Sequence, residues 1–265
     1  MLNFEKPIYK ITEYTENNNF GKFELEPLER GFGTTIGNAL RRVMLSSMPG
    51  SAIVAIRIDG VMHEFQTIDG IVEDVTTIVL NLKNVVVKNL TEETKELHLS
   101  VSEEGVVTAG DIKTDSDVEI INKDQVIATI SKGGKLDMDL IVSNGRGYVP
   151  SVDNKKFIEG NKIGFIPIDA LYSPVERVSY EIENARVGQD ANYDKLIMNV
   201  QTNGSLKPEE AMALASKILI EHLNIIADLN EIADVTGIMN AKQEDSKLKK
   251  LENGENVITR KDVAD

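Results

Sequence analysis

One segment near the N-terminus combines a glycine-rich turn with a helix whose two faces differ. Residues 25–50 read LEPLERGFGTTIGNALRRVMLSSMPG. Thr34 and Thr35 are predicted to cap the helix, and Pro49-Gly50 is predicted to end it. At 100° per residue, one face carries mainly apolar side chains, namely Ile36, Ala39, Leu40, Val43, Met44 and Ser47. The opposite face carries Asn38, Arg41, Arg42 and Leu45. Because arginine beside an exposed leucine is typical of interfaces, this second face predicts a surface for another protein.

A second helix, the longest in the chain, carries more apolar surface than one sheet can cover. Pro208-Glu209-Glu210 opens it, and its pattern continues to about Leu229. An a/d-like seam of spacing 4-3 comprises Ala211, Ala215, Ile218, His222, Ile225, Leu229 and Ile232. A neighbouring stripe comprises Met212, Leu219, Leu223 and Ile226. The apolar arc covers roughly half the circumference, which predicts a second apolar partner, although a helix buried in a larger monomeric core is the alternative. His222 is either a buried neutral imidazole or a pH-sensitive element.

The remaining periodicity predicts an α+β fold. Lys6–Leu28 alternates as a β-hairpin, and Val54, Ile56 and Ile58 are predicted to share one face of a strand. Ile71–Leu82 is predicted as a short helix with Glu73 and Asp74 in its first turn. Val85–Val142 is predicted as a series of strands, of which the clearest alternates Leu136, Met138, Leu140 and Val142. Two later strands, Val175–Val187 and Lys195–Val200, flank a polar loop at 188–193.

Composition excludes several classes of function. The chain has 265 residues, 29 basic and 43 acidic side chains and a net charge of −14. Because no basic stripe is visible, we expect no direct DNA binding. The chain has no cysteine, and its three histidines (His63, His98 and His222) lack metal-ligand spacing, so we expect no metal site. No apolar segment predicts targeting or a membrane span, and we expect a cytoplasmic protein.

The candidate catalytic motifs are weak. Gly31, Gly33 and Gly37 precede or open a helix, but their spacing misses the dinucleotide fingerprint, and no phosphate-binding loop motif occurs. Acidic pairs such as Glu103-Glu104 and Asp137/Asp139 are expected by chance in so acidic a chain. The sequence therefore predicts a non-catalytic chain. A small-molecule enzyme that binds phosphate at residues 31–37 and a stand-alone acidic interaction module are the alternatives.

Residues 25–50 resemble the N-terminal assembly motif of the bacterial RNA polymerase alpha-subunit family. Further blocks agree in order: Ile58-Asp-Gly-Val61 with His63-Glu64, Asn81-Leu-Lys83, Gly145-Arg-Gly-Tyr-Val-Pro150, Tyr172-Ser-Pro-Val-Glu-Arg177, Ala185-Arg-Val187, Asp194-Lys-Leu196, Thr202-Asn-Gly204 and Pro208-Glu-Glu-Ala211. The resemblance runs from about Lys6 to Asp228.

This resemblance implies a discontinuous domain organisation. Residues 1–50 and 173–236 are expected to form a dimerisation and assembly domain, an antiparallel sheet with two packed helices. Residues 51–172 are expected to form an inserted, mostly β domain. Residues 237–265, rich in charge and poor in large apolar side chains, are expected to form a disordered, linker-like tail.

The resemblance also implies partners. The chain is expected to be a scaffold that homodimerises and nucleates assembly of DNA-directed RNA polymerase, a nucleotidyltransferase, with no cofactor of its own and magnesium in the catalytic partner subunit. The residues expected to bind the beta subunit are Asn38, Arg41, Arg42 and Leu45. The candidates for binding the beta-prime subunit are Glu176, Arg177 and Arg186, and the alternative for these three is that they stabilise the strand that carries them. The candidates for dimerisation are Phe32, Ile36, Leu40, Val43, Leu219, His222, Leu223 and Ile226. Alternatively, Arg41 and Arg42 merely solubilise the helix or pair with Glu26 and Glu29.

The sequence departs from the family pattern in two places. It ends within what resembles the family's linker, so the C-terminal DNA-binding domain is expected to be absent and promoter binding is not carried over. Asn144 stands where many relatives have arginine before the Gly-Arg-Gly-Tyr-Val-Pro segment.

Overall fold

The computed structural model describes residues 7–15, 19–158, 164–188 and 190–227. These residues form the helices α1 (Phe32–Ser46), α2 (Val75–Leu82), α3 (Ser151–Asn154) and α4 (Pro208–Ala227). Two compact units divide after Ser216, within α4, so that 217–227 is the described part of the second unit. None of the helices in the described part of the chain combines the length and the hydropathy that a membrane span requires.

The strands pair in the antiparallel sense, which confirms the predicted α+β class. In chain order they are β1 (Ile8–Thr15), β2 (Phe20–Glu29), β3 (Pro49–Ile58), β4 (Val87–Asn89), β5 (Lys95–Val101), β6 (Gly105–Thr108), β7 (Val118–Ile120), β8 (Val126–Ile130), β9 (Leu136–Arg146), β10 (Tyr148–Val149), β11 (Ile166–Pro167), β12 (Ala170–Leu171), β13 (Val175–Val187) and β14 (Asp190–Thr202).

The first sheet has the strand order β1-β2-β14-β13, so it combines strands from the N-terminal part of the chain with strands that lie after residue 174. The predicted N-terminal hairpin is confirmed, with Tyr9 opposite Leu25 and Ile11 opposite Phe23. The polar loop predicted at 188–193 is mostly wrong, because β14 already begins at Asp190 and the turn lies around Gly188. Antiparallel pairing depends on backbone groups, and polar side chains can alternate toward water, so polarity alone did not indicate a loop here.

The second sheet has the order β11-β3-β9-β5 and holds the largest cluster of buried side chains. The alternation predicted for β9 is confirmed, because Leu136, Met138, Leu140 and Val142 all belong to that cluster. The helix predicted at Ile71–Leu82 is shorter than expected, because α2 begins at Val75. Asp74 Oδ1 accepts a hydrogen bond from the Thr77 backbone N–H at 2.8 Å, which makes Asp74 the N-cap of α2.

A β-bulge changes the predicted facing of β3. Ile53 pairs with Val142 and Ala55 with Ile141, so β3 has one extra residue at Val54. Ile56 and Ile58 lie in the largest cluster as predicted. Val54 lies in the cluster on the other side, with Ala52 and Tyr172. The prediction that Val54 shares a face with Ile56 was therefore wrong, because strict alternation does not allow for an inserted residue.

The order of segments in the sheets follows the chain. The first sheet, α1 and α4 come from residues 8–46 and 175–227, and the second sheet comes from residues within 49–171. Both sheets belong to the first compact unit. The domain boundaries at 51 and 173 thus stay a prediction. Residues 228–236 and the predicted tail at 237–265 lie outside the described residues.

Candidate functional site

The N-terminus of α1 is capped from a distant strand. Gly31 is the N-cap residue, with a left-handed φ of 90° that suits glycine. Asp194 Oδ2 on β14 accepts hydrogen bonds from the backbone N–H of Gly31 at 2.8 Å and of Gly33 at 3.2 Å. The prediction that Thr34 and Thr35 cap this helix was wrong, since both lie inside it. A carboxylate already holds the N–H groups that a phosphate would need, which disfavours the phosphate-binding alternative.

The other two glycines of the motif allow α1 to lie close to the sheet. A Cβ atom on Gly37 would lie 2.8 Å from both Leu196 Cδ1 and Tyr180 Cδ2. A Cβ atom on Gly33 would lie 3.1 Å from Asp194 Oδ2. Packing against β13 and β14 therefore accounts for the glycine spacing without a ligand.

The outward face of α1 carries the residues predicted to bind the beta subunit. Asn38, Arg41 and Arg42 are exposed, and Leu45 keeps 38% of its surface in solvent. Neither guanidinium forms an ion pair with any described residue. Glu26 instead accepts a hydrogen bond from Lys10 Nζ at 3.3 Å. The alternative ion pairs of Arg41 and Arg42 with Glu26 and Glu29 are therefore absent from the described part of the chain. We call Asn38, Arg41, Arg42 and Leu45 the arginine–leucine patch.

The candidates for dimerisation on α1 range from buried to exposed. Leu40 is buried at 7% exposure, and Ile36 and Val43 are half-buried. Phe32 at the start of the helix keeps 48% of its surface in solvent. An exposed phenylalanine among partly covered aliphatic side chains is typical of a contact surface.

The predicted seam of α4 divides into a buried and an exposed half. Ala211 and Ala215 are fully buried in the chain's own core. Leu219 is half-buried, whereas Leu223 and Ile226 are 59% and 63% exposed. Ile220 and Ile225 are also exposed. The helix thus carries excess apolar surface as the sequence predicts, but the N-terminal part of the seam is not available to a partner.

His222 lies on this exposed part of α4. Its Nδ1 lies 2.8 Å from the Ile218 carbonyl oxygen, so the proton on this nitrogen is donated to the helix backbone. The side chain is exposed in the single chain. A buried imidazole at this position would therefore require a partner molecule.

An apolar groove that the sequence analysis did not predict opens between β1, β2, β14 and the first turns of α4. Its volume is about 560 Å³. The apolar side chains that line it are Tyr9, Ile11, Phe23, Leu25, Leu40, Leu196, Met198, Met212 and Ala213. Glu209, Glu210 and Ser216 complete it. No local pattern indicates this groove, because its lining comes from five elements far apart in the sequence.

The residues predicted to bind the beta-prime subunit lie on one edge strand but not at one place. Glu176, Arg177 and Arg186 are all exposed on β13, which is paired on one side only. Arg177 and Arg186 are about 30 Å apart at the rise of a β-strand. Glu176 is the extra residue of a bulge, and Arg186 lies beside a second register shift. Bulges re-aim side chains at sheet edges, so each end of β13 is a separate candidate contact.

The acidic pair Asp137 and Asp139 is occupied by ion pairs on the second sheet. Lys135 Nζ donates to Asp137 at 2.7 Å, and this hydrogen bond lowers the pKa of Asp137. Partial burial of Asp139 is outweighed by hydrogen bonds from His98 and Arg57, so its pKa is also lowered. Within the described ranges, no group of three His, Cys, Asp or Glu side chains is arranged to hold a metal ion.

Asn144, the position at which the sequence was expected to depart from the family pattern, forms a local hydrogen-bond network. Its Oδ1 accepts a hydrogen bond from Ser51 Oγ, and its Nδ2 donates to the Thr91 carbonyl, both at 2.7 Å. Asn144 therefore links β3 and β9 to the loop before β5.

Comparisons with known proteins agree with this architecture. Residues 55–173 match the RNA polymerase Rpb3/RpoA insert domain. The DNA-directed RNA polymerase subunit alpha of Oceanobacillus iheyensis is 53% identical over 252 residues, which cover 95% of this chain and 80% of the relative. The same protein of Macrococcus caseolyticus matches to the same extent. This chain belongs to the DNA-directed RNA polymerase alpha-subunit family. Membership supports a role in DNA-directed RNA polymerase and in transcription.

The family assignment gives the exposed surfaces a context. The matched insert domain corresponds in extent to the β-rich middle of this alpha-subunit family member. The arginine–leucine patch, the apolar groove, β13 and the exposed end of α4 all lie outside the matched insert domain.

Proposed function

We propose that this chain is a non-catalytic scaffold subunit of a bacterial, cytoplasmic DNA-directed RNA polymerase. It homodimerises and nucleates assembly by binding the beta and beta-prime subunits. The observation that carries the proposal is that one helix, α1, is fixed to its sheet by glycine contacts and a carboxylate cap while its outward arginines have no partner in the described chain.

Dimerisation uses the apolar groove, Phe32 and the exposed part of α4. A groove and an exposed aromatic side chain on the same chain can satisfy each other twice in a two-fold symmetric contact. The apolar side chains of α4 from Leu219 to Ile226, of which Leu223 and Ile226 are exposed, also pack against the second copy and bury His222 in the dimer. Such a contact resembles a protein core divided between two chains, as obligate interfaces do.

The arginine–leucine patch binds the beta subunit. Arg42 and Leu45 are i, i+3 neighbours and present a cation beside an apolar surface. Arginine is enriched at interface hot spots because its planar guanidinium combines charge with apolar contact area. Because these side chains are carried by a helix that is already fixed to its sheet, the backbone loses little conformational entropy when a partner binds.

The two ends of β13 bind the beta-prime subunit, with Glu176 and Arg177 at one end and Arg186 at the other. Residues 51–172 form the inserted domain. The chemistry of transcription, including magnesium and nucleotides, belongs to the catalytic partner subunit. DNA is contacted by those partners and not by this acidic chain.

The test of the scaffold role is an assembly measurement with purified beta and beta-prime subunits. Light scattering should report a dimer for the chain alone and a much larger complex after mixing. Arg42→Ala should keep the dimer but lose most of the beta subunit, because a hot-spot truncation costs about 2 kcal/mol or more, equivalent to at least about thirtyfold in affinity.

Lys123→Ala removes an exposed cation between β7 and β8 and serves as the matched control. It should leave both the dimer and the bound beta subunit unchanged. Undiminished recovery of the beta subunit with Arg42→Ala would refute the role of the patch.

A further inference from the structure

The apolar groove contains one carboxylate oxygen that lacks a partner. Glu209 Oε2 is buried and forms no hydrogen bond with any described residue. The neighbouring Glu210 differs, because its Oε2 accepts a hydrogen bond from the Lys207 backbone N–H at 3.3 Å. Burial raises the pKa of Tyr9, which also lines the groove, and the nearby charge of Glu209 adds to this effect.

An occupant made only of apolar side chains would fit this groove poorly. Covering Glu209 without a donor would remove the remaining water from an already unpaired carboxylate, which is strongly unfavourable. A suitable occupant therefore combines an apolar group for the groove with a cation near its end. This requirement selects among the segments of a second copy.

Arg30 and Phe32 form such a pair. Both are exposed, and their Cα atoms lie at most about 7 Å apart along the chain. The Arg30 guanidinium donates only to the neutral Asn192 Oδ1, at 3.3 Å, and has no acidic partner among the described residues. A long arginine side chain beside an inserted phenylalanine reaches the rim of the same groove.

Several other cations of the first sheet and of α1 are less suitable. Lys10 is paired with Glu26, and Lys195 is paired with Glu24 at 2.9 Å. Arg41 and Arg42 lie about 100° and 160° around α1 from the groove residue Leu40, so neither shares its face. Arg30, in contrast, has no acidic partner among the described residues and lies two positions before an exposed apolar side chain.

We propose that Arg30 of a second copy forms an ion pair with Glu209 when Phe32 of that copy enters the groove. This inference rests on the proposed homodimer and adds the contact that sets its register. In a two-fold symmetric dimer this ion pair occurs twice. The ion pair makes the groove selective for a segment with arginine two residues before an aromatic side chain.

The test is a double-mutant cycle on the full chain, with the dimer dissociation constant measured by sedimentation equilibrium. Arg30→Gln and Glu209→Gln should each raise this constant at least about thirtyfold, because each leaves a charge unpaired in the interface. The double variant should be no weaker than either single variant. The charge-swapped variant, Arg30→Glu with Glu209→Arg, should recover most of the lost affinity. Glu103→Gln, at an exposed position between β5 and β6, is the matched control and should have no effect.

The outcomes separate this inference from the proposed function. A monomeric wild-type chain overturns both. A wild-type dimer in which the two single effects simply add, or in which Glu209→Gln tightens the dimer, overturns the ion pair and leaves the homodimer intact. If the charge-swapped variant does not fold by circular dichroism, the cycle of glutamine variants decides the question.

Discussion

Replacing Leu223 with aspartate should convert the proposed dimer into a monomer. Leu223 is 59% exposed in the single chain, although the helix around it is regular and the side chain is strongly apolar. Covering its exposed part in a partner contact gains about 0.9–1.8 kcal/mol, given ~1.5–3 kcal/mol for complete burial of a leucine. A symmetric contact doubles this gain to about 2–3.5 kcal/mol.

Aspartate removes this gain and also places an unpaired charge in the contact, which costs several kcal/mol per copy. The total loss exceeds about 4 kcal/mol, which corresponds to about a thousandfold weaker dimer. Leu223→Ala removes most of the apolar contact without adding a charge. It should weaken the dimer by roughly 10- to 100-fold.

The assay is light scattering coupled to size exclusion at micromolar concentration, followed by sedimentation equilibrium for the dissociation constants. Circular dichroism must show that both variants keep the wild-type helix and strand content. Glu221→Gln controls for substitution on the same helix. A Leu223→Asp variant that still elutes at twice the chain mass would show that this part of α4 is not in the interface.

Three further outcomes follow from contacts within the chain. Gly37→Ala should destabilise the fold by about 1–3 kcal/mol in urea unfolding, because the added Cβ would lie 2.8 Å from two side chains of the sheet. Asp194→Ala should cost about 1–2 kcal/mol by removing the cap of α1, whereas Asp194→Asn, which keeps an acceptor, should cost less. The pKa of Asp139 is lower in the folded chain than its ordinary value of 3.8. The interactions of its carboxylate therefore stabilise the fold fully above pH 3.8, and this stabilisation is lost as the pH falls through the lower folded pKa. Asp139→Asn should thus reduce stability at neutral pH and weaken the loss of stability in acid, measured at fixed protein concentration. Wild-type stability of Gly37→Ala would contradict the close contact of α1 with the sheet, and equal losses for both Asp194 variants would contradict the cap. An unchanged loss of stability in acid for Asp139→Asn would contradict the role of the Asp139 carboxylate.

The elements with a strong period were predictable from the sequence. Alternation in β9 and the apolar stripes of α1 and α4 identify these elements because burial on one face imposes a period of 2 or 3.6. The two faces of α1 were also predictable, since an arginine pair cannot enter an apolar core without a partner. These patterns are local, so they can be recognised in the sequence without knowledge of the tertiary structure.

The features that sequence reasoning missed depend on distant residues. Asp194 caps α1 from a position 163 residues away, so no capping motif near the helix indicates it. The bulge at Val54 reverses the facing of part of β3 through one unpaired residue. The residues around it have the composition of an ordinary strand, so the sequence does not indicate the bulge. The groove exists only because β1, β2, β14, α1 and α4 come together, and the partnerless oxygen of Glu209 is visible only in three dimensions.

The way α1 is held would allow this helix to serve both proposed partners, the second copy and the beta subunit, at once. Leu40 and Arg42 are two positions apart and so about 200° apart around the helix, which places the groove and the arginine–leucine patch on opposite sides. The cap by Asp194 and the close glycine contacts fix α1 to the sheet before any partner arrives. A surface ordered in advance loses less entropy on binding, so either partner can bind first without the other. The two surfaces should thus fail independently: disruption at Leu223 should spare the geometry of the patch, and disruption at Arg42 should spare the dimer.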